Sequence, residues 1–351
     1  MMRKFKTMLQ VFIVICILVF GIMGVSAIKS PYNRIVEKYN WEDVESVANQ
    51  MKDIRYWEIA DEIKIVLKHT KDLDSAMAHA YVLQTRINDI PEDWFEKEIS
   101  NADNEELYRC LLIELSSYKN NKKGLINVEF LKDILKNDSE NSFVRQSALF
   151  ALMNDKKSLD IIINCVNDKD DLLSFQALKV LNMIDKNKAV EISDQIIRQE
   201  RPDSEVYRMA IKIKSYEYQE NPYKTEEINN FIKRCIHLYE TSEDLQMKET
   251  AIFALCDLQN IDAVKFIVNE SSIDHYIKAG CVNQNYLVIK EMLLNNPTKE
   301  NIDFAIQCEK IYAVDEVVDL LKTMVKKDKL VFDEINKANP AWAEQYYAGR
   351  R

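Results

Sequence analysis

Glycine and proline are scarce in this sequence, with 5 Gly and 6 Pro among 351 residues. Two of the glycines, Gly21 and Gly24, fall in an N-terminal apolar stretch, so very few remain for the rest of the chain. Hairpins of β proteins depend on glycine in their tight turns, and parallel α/β folds usually carry glycine-rich turns after their strands. The shortage disfavours both classes and predicts an all-α fold.

The short motifs that mark common active sites are also missing. The sequence contains no glycine-rich phosphate loop, no Gly-x-Ser-x-Gly elbow, no His-Glu-x-x-His pair and no Cys/His cluster with the spacing of zinc ligands. The four histidines are more typical of helix surfaces and helix ends than of ligands: His69, His79, His237 and His275. We therefore predict no catalytic residue, no metal site and no cofactor, and a protein that is not an enzyme.

The acidic run from Asn167 to Asp171 comes nearest to a metal-binding motif. It resembles the start of a calcium loop, but it lacks the glycine at the sixth position, and Lys179 stands where the final carboxylate belongs. We expect Asp170 or Asp171 to cap a helix instead, because a short acidic side chain accepts the first backbone N–H groups of a helix.

Positive charge is in deficit, and the formal net charge is −10. Residues 1–27 carry three positive charges and no acid, which leaves −13 on the remainder of the chain. A body of this sign repels phosphate backbones, so nucleic acid is not an expected partner. The same excess suggests that a protein partner would present a basic segment.

Residues 1–27 form a long apolar run and read MMRKFKTMLQVFIVICILVFGIMGVSA. The basic start, the apolar stretch and the small residue Ala27 are typical of a signal peptide cleaved after Ala27. The stretch is also long enough to cross a bilayer as an uncleaved anchor, and a buried N-terminal helix is the third possibility. The positive start favours a cytoplasmic N-terminus, so we expect the body to be extracytoplasmic, either secreted or held by a single-pass anchor.

Six cysteines follow this segment, and they are scattered along the chain: Cys110, Cys165, Cys235, Cys256, Cys281 and Cys308. An even number outside a membrane is compatible with disulfides. Most of them, however, lie on apolar helix faces, as in Ala254-Leu255-Cys256, which favours buried free thiols.

Helical periodicity begins at Trp41, after a predicted linker over residues 28–40. Apolar residues such as Ile59 and Ile63 recur three or four positions apart, and polar breaks of 2–6 residues separate the periodic stretches. No stretch of clean alternation argues for a strand. The prolines all fall between helical patterns: Pro31, Pro91, Pro202, Pro222, Pro297 and Pro340.

A template recurs along the chain and reads polar break, then apolar-x3-Ala-x2-apolar. Its two clear copies centre on Ala148 and Ala177, with weaker copies at Ala210, Ala251 and Ala279. The spacing between successive alanines is 29, 33, 41 and 28 residues. Between them lie second amphipathic stretches, for example residues 159–166 and 263–268. A small residue allows neighbouring helices to approach closely, so the template predicts stacked helix pairs.

The segment NSFVRQSALFALMNDKKSLDIIINCVND resembles a HEAT repeat, one of the armadillo-like α-α helical repeats. The likeness rests on the acidic break, Val144-Arg145, Ala148 and the second helix, and it extends over about residues 125–335. It implies a superhelix of antiparallel helix pairs, an α-solenoid, used as a protein-binding surface or scaffold. Residues 41–124 keep the helix-pair rhythm without the template, as tetratricopeptide-like hairpins or an N-terminal cap, and we favour continuation of one solenoid.

Two aromatic groups are candidates for binding partners or for packing. Tyr216, Tyr218 and Tyr223 flank Pro222, and a second group near the C-terminus consists of Trp342, Tyr346 and Tyr347. Exposed aromatics often anchor partners, but we expect these to pack inter-helix loops and to cover the last repeat.

The sequence as a whole predicts a secreted or surface-anchored helical-repeat protein that acts as a non-catalytic protein-binding or scaffold module. The alternative is a helical α/α-type enzyme acting on cell-wall glycans, which would need paired carboxylates in a deep cleft.

Overall fold

The computed structural model describes residues 55–69, 80–91, 93–102, 105–119, 127–199, 204–327, 333, 336 and 337. Within these ranges the regular structure is α-helical with short 3-10 turns, and no strand occurs. The all-α prediction is therefore confirmed. The chain divides between Ile161 and Ile162 into two compact units.

The helices with described bounds in the first unit are α1 Tyr56–His69, α2 Trp94–Asn101, α3 Glu106–Lys119, α4 Val128–Lys136 and α5 Ser142–Leu152, and α6 Leu159–Cys165 begins in it. Residues 80–85 are also helical and lead into a 3-10 turn, Ile87–Asp89. Helix α3 packs against α1, α2 and α5, and α4 packs against α5. The core of this unit includes Phe95, Leu112 and Ile113, all fully buried.

In the second unit the helices with described bounds are α7 Asp171–Ile184, α8 Lys186–Arg198, α9 Glu205–Glu220, α10 Thr225–Thr241, α11 Leu245–Asp257, α12 Ile261–Asn269, α13 His275–Gln284, α14 Tyr286–Asn295, α15 Lys299–Ile311 and α16 Asp315–Lys327. Alternate helices stack on one another: α7 on α9, α9 on α11, α11 on α13 and α13 on α15. The helices between them also stack, α12 on α14 and α14 on α16. Each helix thus packs chiefly on elements close to it in sequence.

Four of the five template alanines are fully buried. Ala177, Ala210 and Ala251, on α7, α9 and α11, have no exposed surface, and Ala148 on α5 is equally buried. Ala279 on α13 is only partly buried, in keeping with its weaker copy of the template. The absence of a large side chain at these positions lets one backbone approach the next.

Arg145 explains the polar residue within the first template copy. This arginine is buried, and its Nε and a terminal guanidinium nitrogen donate to the carbonyl of Leu135, at distances of 3.1 and 2.8 Å. Leu135 lies in the last turn of α4, where carbonyl groups have no partner within the helix. A cation there also opposes the negative end of the helix dipole, so Arg145 fastens α5 to the end of α4.

Short polar side chains begin most of the helices. The caps whose side-chain oxygen accepts an N–H of the first turn include Asn127, Asn141, Asp170, Asp185, Ser204, Asp244, Asn260, Asp274 and Thr298. The predicted cap at Asp170 is confirmed, with Leu172 N and Leu173 N at 3.1 and 3.2 Å from its carboxylate. Pro91, Pro222 and Pro297 lie between helices as predicted.

Several polar contacts join residues about one repeat apart. In the second unit the carboxylate of Asp171 accepts from the N–H of Glu205 at 2.7 Å, and Arg208 donates to Asp244 at 2.6 Å. In the first unit Arg109 binds both carboxylate oxygens of Glu140, at 2.7 and 2.6 Å. These separations of 31 to 36 residues fall within the range of the alanine spacings, which run from 28 to 41 residues.

Some predictions fall outside the described residues. These are the signal or anchor segment 1–27, the linker 28–40, the periodic stretch that begins at Trp41, His79 and the C-terminal aromatic group. Among the helices that are described, none is long and apolar enough to cross a membrane.

Candidate binding surface

Three exposed apolar side chains lie on consecutive stacked helices of the second unit. Met183 on α7 is 63% exposed, Tyr216 on α9 is 52% exposed and Phe253 on α11 is 50% exposed. We call these three residues the apolar row. Single exposed apolar side chains are ordinary on protein surfaces, but three of them on helices that pack on one another mark a candidate interaction surface.

The position of the row follows from the template. Met183 and Tyr216 each stand six residues after their buried alanine, and Phe253 stands two residues after Ala251. Positions two and six after an alanine lie one helical turn apart from each other, on the side of the helix that faces away from the alanine. The same periodicity that buries the alanine therefore turns these side chains outward.

Lysines accompany the apolar row. Lys179 lies one turn before Met183, and Lys212 lies one turn before Tyr216, and both are exposed. On α11 the equivalent positions hold Phe253 and Asp257. The row is thus apolar with a locally positive flank, although the chain as a whole is acidic.

The aromatic group around Pro222 does not act as a unit. Tyr216 and Tyr223 are exposed, whereas Tyr218 is buried and its ring packs edge-on against Phe231 at a centroid distance of 5.3 Å. We expected these tyrosines to pack inter-helix loops. Tyr218 instead packs one helix on the next, and Tyr216 and Tyr223 are exposed, so the expectation is wrong in this respect.

A buried charge cluster lies on the inner side of α9. Lys214 is 2% exposed, and its ammonium group lies 3.0 Å from Asp194 and 2.8 Å from Glu217. It also lies 4.4 Å from the centre of the Tyr218 ring. The second oxygen of Glu217 accepts from Lys224 at 2.7 Å. The cluster ties α8, α9 and the segment before α10 together.

The pKa values in this cluster favour the charged forms. Burial acts to lower the pKa of Lys214, but hydrogen bonds to Glu217 and Asp194 outweigh it, and the pKa is raised. Burial acts to raise the pKa of Glu217, but hydrogen bonds from Lys214 and Lys224 more than offset it, and the pKa is lowered. Such fully paired charges hold helices in register and offer no proton for catalysis at neutral pH.

Glu114 on α3 is the described carboxyl with the most unusual titration. Burial raises its pKa to about 8. A glycan hydrolase would pair such an acid with a second carboxylate roughly 5–10 Å away. Within the described residues only burial acts on Glu114, so no second acid contributes to its shift.

The histidines and cysteines for which no catalytic or metal-binding role was predicted lie on helix surfaces, at helix ends or in the core. His237 and His275 are exposed on α10 and α13, and His69 ends α1. Over the described ranges, no three or more His, Cys, Asp or Glu side chains come together as a possible metal site. Cys165, Cys235, Cys256, Cys281 and Cys308 are buried, as their apolar neighbours indicated.

Sequence reasoning missed Met183, Phe253 and the Lys214 cluster. Met183 stands six residues after Ala177 and Phe253 two residues after Ala251, so helical periodicity turns both side chains away from those buried alanines. Lys214 stands four residues after Ala210, on the same helix face, whereas the exposed Lys179 and Lys212 stand two residues after their alanines, so position in the pattern separates them. No protein-family model, no curated protein and no solved structure matches this chain.

Proposed function

We propose that this chain is a HEAT-like α-solenoid that binds a protein partner and performs no chemistry of its own. The observation that supports the proposal most is the apolar row of Met183, Tyr216 and Phe253 on three stacked helices. Covering exposed apolar surface with another protein is favourable, and aromatic residues in such positions often dominate binding energy.

The partner is proposed to be a protein segment and not a small molecule. The row extends over three helices on an open face, whereas small ligands usually bind in concave pockets that enclose most of their surface. Helical repeats present extended surfaces of this kind, and their partners are usually proteins or peptides.

We further propose that the partner places apolar side chains on the row and carboxylates opposite Lys179 and Lys212. Charges more than about 8 Å apart are largely screened at physiological salt, so the lysines beside the row count for more than the net charge. The basic segment predicted from the net charge is the competing proposal, and charge reversal of the two lysines separates them.

The location proposed for this module is outside the cytoplasmic membrane, secreted or tethered. This part of the proposal rests on residues 1–27 alone. It can be checked by intact mass and fractionation in the native host. A secreted species would begin at Ile28, and a tethered one would retain residue 1 and be cut by protease added to intact cells. A body protected from that protease would contradict the location.

The binding proposal is tested by crosslinking in the native host with a tagged chain. The double variant Y216A/F253A should lose a crosslinked species that the wild-type chain forms. The matched control is Y276A, because Tyr276 is an exposed aromatic on α13 that lies off the row. Equal yields of every crosslinked species from both variants, at unchanged helical content, would contradict the proposal.

The double variant K179E/K212E tests whether the partner segment is acidic or basic. We expect this double variant to reduce the yield of the species that depends on the row, and to reduce it less at high salt. An increased yield would instead support a basic partner segment.

A further inference from the structure

Two buried thiols of the second unit lie side by side. Cys256 is near the C-terminal end of α11 and Cys281 is in α13, and these two helices stack on each other. The Cys281 thiol is near enough to raise the pKa of Cys256, although 25 residues separate the two cysteines in sequence. Both side chains are almost completely buried.

Asn285 fixes the two helices at this point. Its amide nitrogen donates to the backbone carbonyl of Cys256 at 2.8 Å and to that of Cys281 at 2.9 Å, and it lies 3.8 Å from the Cys281 sulfur. One buried side chain therefore bridges the backbones that carry both thiols. An amide held by two helices in this way restricts how far the thiols can separate.

The other buried cysteines lack this arrangement. Burial is the main cause that raises the pKa of Cys235, and burial also raises the pKa of Cys308 to about 12. No thiol contributes to the shift of either residue. Cys235 and Cys308 are therefore matched comparisons, because they are as well buried as the pair but have no sulfur beside them.

We propose that Cys256 and Cys281 form an intramolecular disulfide when the chain folds in the presence of a disulfide-bearing oxidant. One cysteine thiolate attacks the oxidant R–S–S–R, its S–H proton passing to solvent, and releases R–S⁻. The second cysteine thiolate then attacks the mixed disulfide and releases another R–S⁻. The two thiols are oxidised, the R–S–S–R bond is reduced to two R–SH after protonation, and one S–S bond is formed.

The reaction belongs to the folding stage of the chain. In the folded protein the neighbouring Cys281 thiol and burial raise the pKa of Cys256, so little thiolate is present, and neither thiol is exposed to an oxidant. A disulfide formed earlier is enclosed by the same packing and is protected from reductants. The bond would link α11 covalently to α13 and close a loop that contains α12.

The test uses the full-length chain, reduced and unfolded, then refolded in a mixture of oxidised and reduced glutathione. Remaining thiols are blocked with iodoacetamide, and trypsin is added. Cys256 and Cys281 lie in the peptides 249–265 and 279–290, and Cys235 and Cys308 lie in 235–248 and 300–310. We expect the first two peptides to be recovered joined, and the last two to be recovered alkylated.

Two outcomes would overturn the proposal. One is full alkylation of Cys256 and Cys281 after refolding, at native helical content. The other is linkage of Cys256 to Cys235 or Cys308 as often as to Cys281. Because this measurement is made on the wild-type chain, it does not depend on a variant that folds.

Variants provide a second measurement. The oxidised wild-type chain should melt several degrees above its reduced form, because the cross-link restricts the unfolded chain. C235A should keep this difference, and C281A should abolish it. Equal differences in the two variants would also contradict the assignment.

Discussion

Glu114 in the first unit and Glu217 in the second are both carboxyl groups surrounded by protein, yet their pKa values move in opposite directions. Only burial acts on Glu114, and its pKa rises to about 8. Glu217 is also opposed by burial, but Lys214 and Lys224 donate to its two oxygens, and its pKa falls. The comparison teaches that burial alone does not set the charge of a helix-packing carboxylate; its cationic partners do.

The pH dependence of the two units should therefore differ in sign. The charged form of Glu217 stabilises the folded state above the unfolded pKa, and this stability is lost as pH falls through the lowered pKa. Glu114 holds its proton more tightly when folded, so its contribution is greatest at low pH and declines as pH rises from about 4.5 towards 8. Acid should weaken the second unit and alkali the first.

The strongest test of the comparison removes the cation from the paired cluster. K214M leaves Asp194 and one oxygen of Glu217 without their buried partner, and we expect a loss of about 3–5 kcal/mol of unfolding free energy in the second unit. The control is K186M, which breaks the exposed pair of Lys186 and Glu220 and should cost less than about 1 kcal/mol. Urea denaturation measures both, and equal losses would show that the cluster stabilises nothing.

Overpacking the alanine positions tests whether the two units share one packing rule. A148L in the first unit and A177L in the second add a large side chain at a fully buried helix contact. We expect each to cost about 1–3 kcal/mol. K179L places the same side chain on the exposed face of α7 and should be nearly neutral. Thermal denaturation measures the loss of stability. A large loss for one variant and none for the other would show that the two alanine positions are not packed in the same way.

The smallest expected effect concerns Glu114. E114Q removes the charge that burial opposes, so we expect its melting temperature to exceed that of wild type by about 2–4 °C at pH 9. At pH 5 the two proteins should melt together, because Glu114 is then protonated in the folded state. E217Q should behave in the opposite way and destabilise the chain at pH 7. A pH-independent effect of E114Q would contradict the raised pKa.

The sequence predicts the helices and their contacts better than the surface. Glycine scarcity and apolar periodicity establish the all-α fold, and the positions of Ala148, Ala177, Ala210 and Ala251 follow from one small residue in a repeated spacing. The cap at Asp170 follows from its side chain. These features depend on neighbouring residues or on a recurring spacing, so they can be inferred from the linear sequence.

The remaining features depend on which residues meet across helices. Lys214 is buried although lysine is rarely so, and only the placement of Asp194 and Glu217 around it makes this possible. Cys256 and Cys281 become neighbours because α11 stacks on α13, skipping the helix between them. Contacts of this kind are fixed by how alternate helices stack, which single-helix periodicity does not specify.

The stacking of alternate helices in the second unit also bears on how such a chain can change over generations. Because each helix packs chiefly on helices close to it in sequence, a short segment of the chain contains most of the residues that bury its own helices. Duplication of a helix pair would therefore bring its own buried alanine, its caps and its outward-facing positions in a single event. The number of outward-facing positions would grow with length, and each new copy would be free to diverge at its exposed residues without disturbing the contacts that hold it in place.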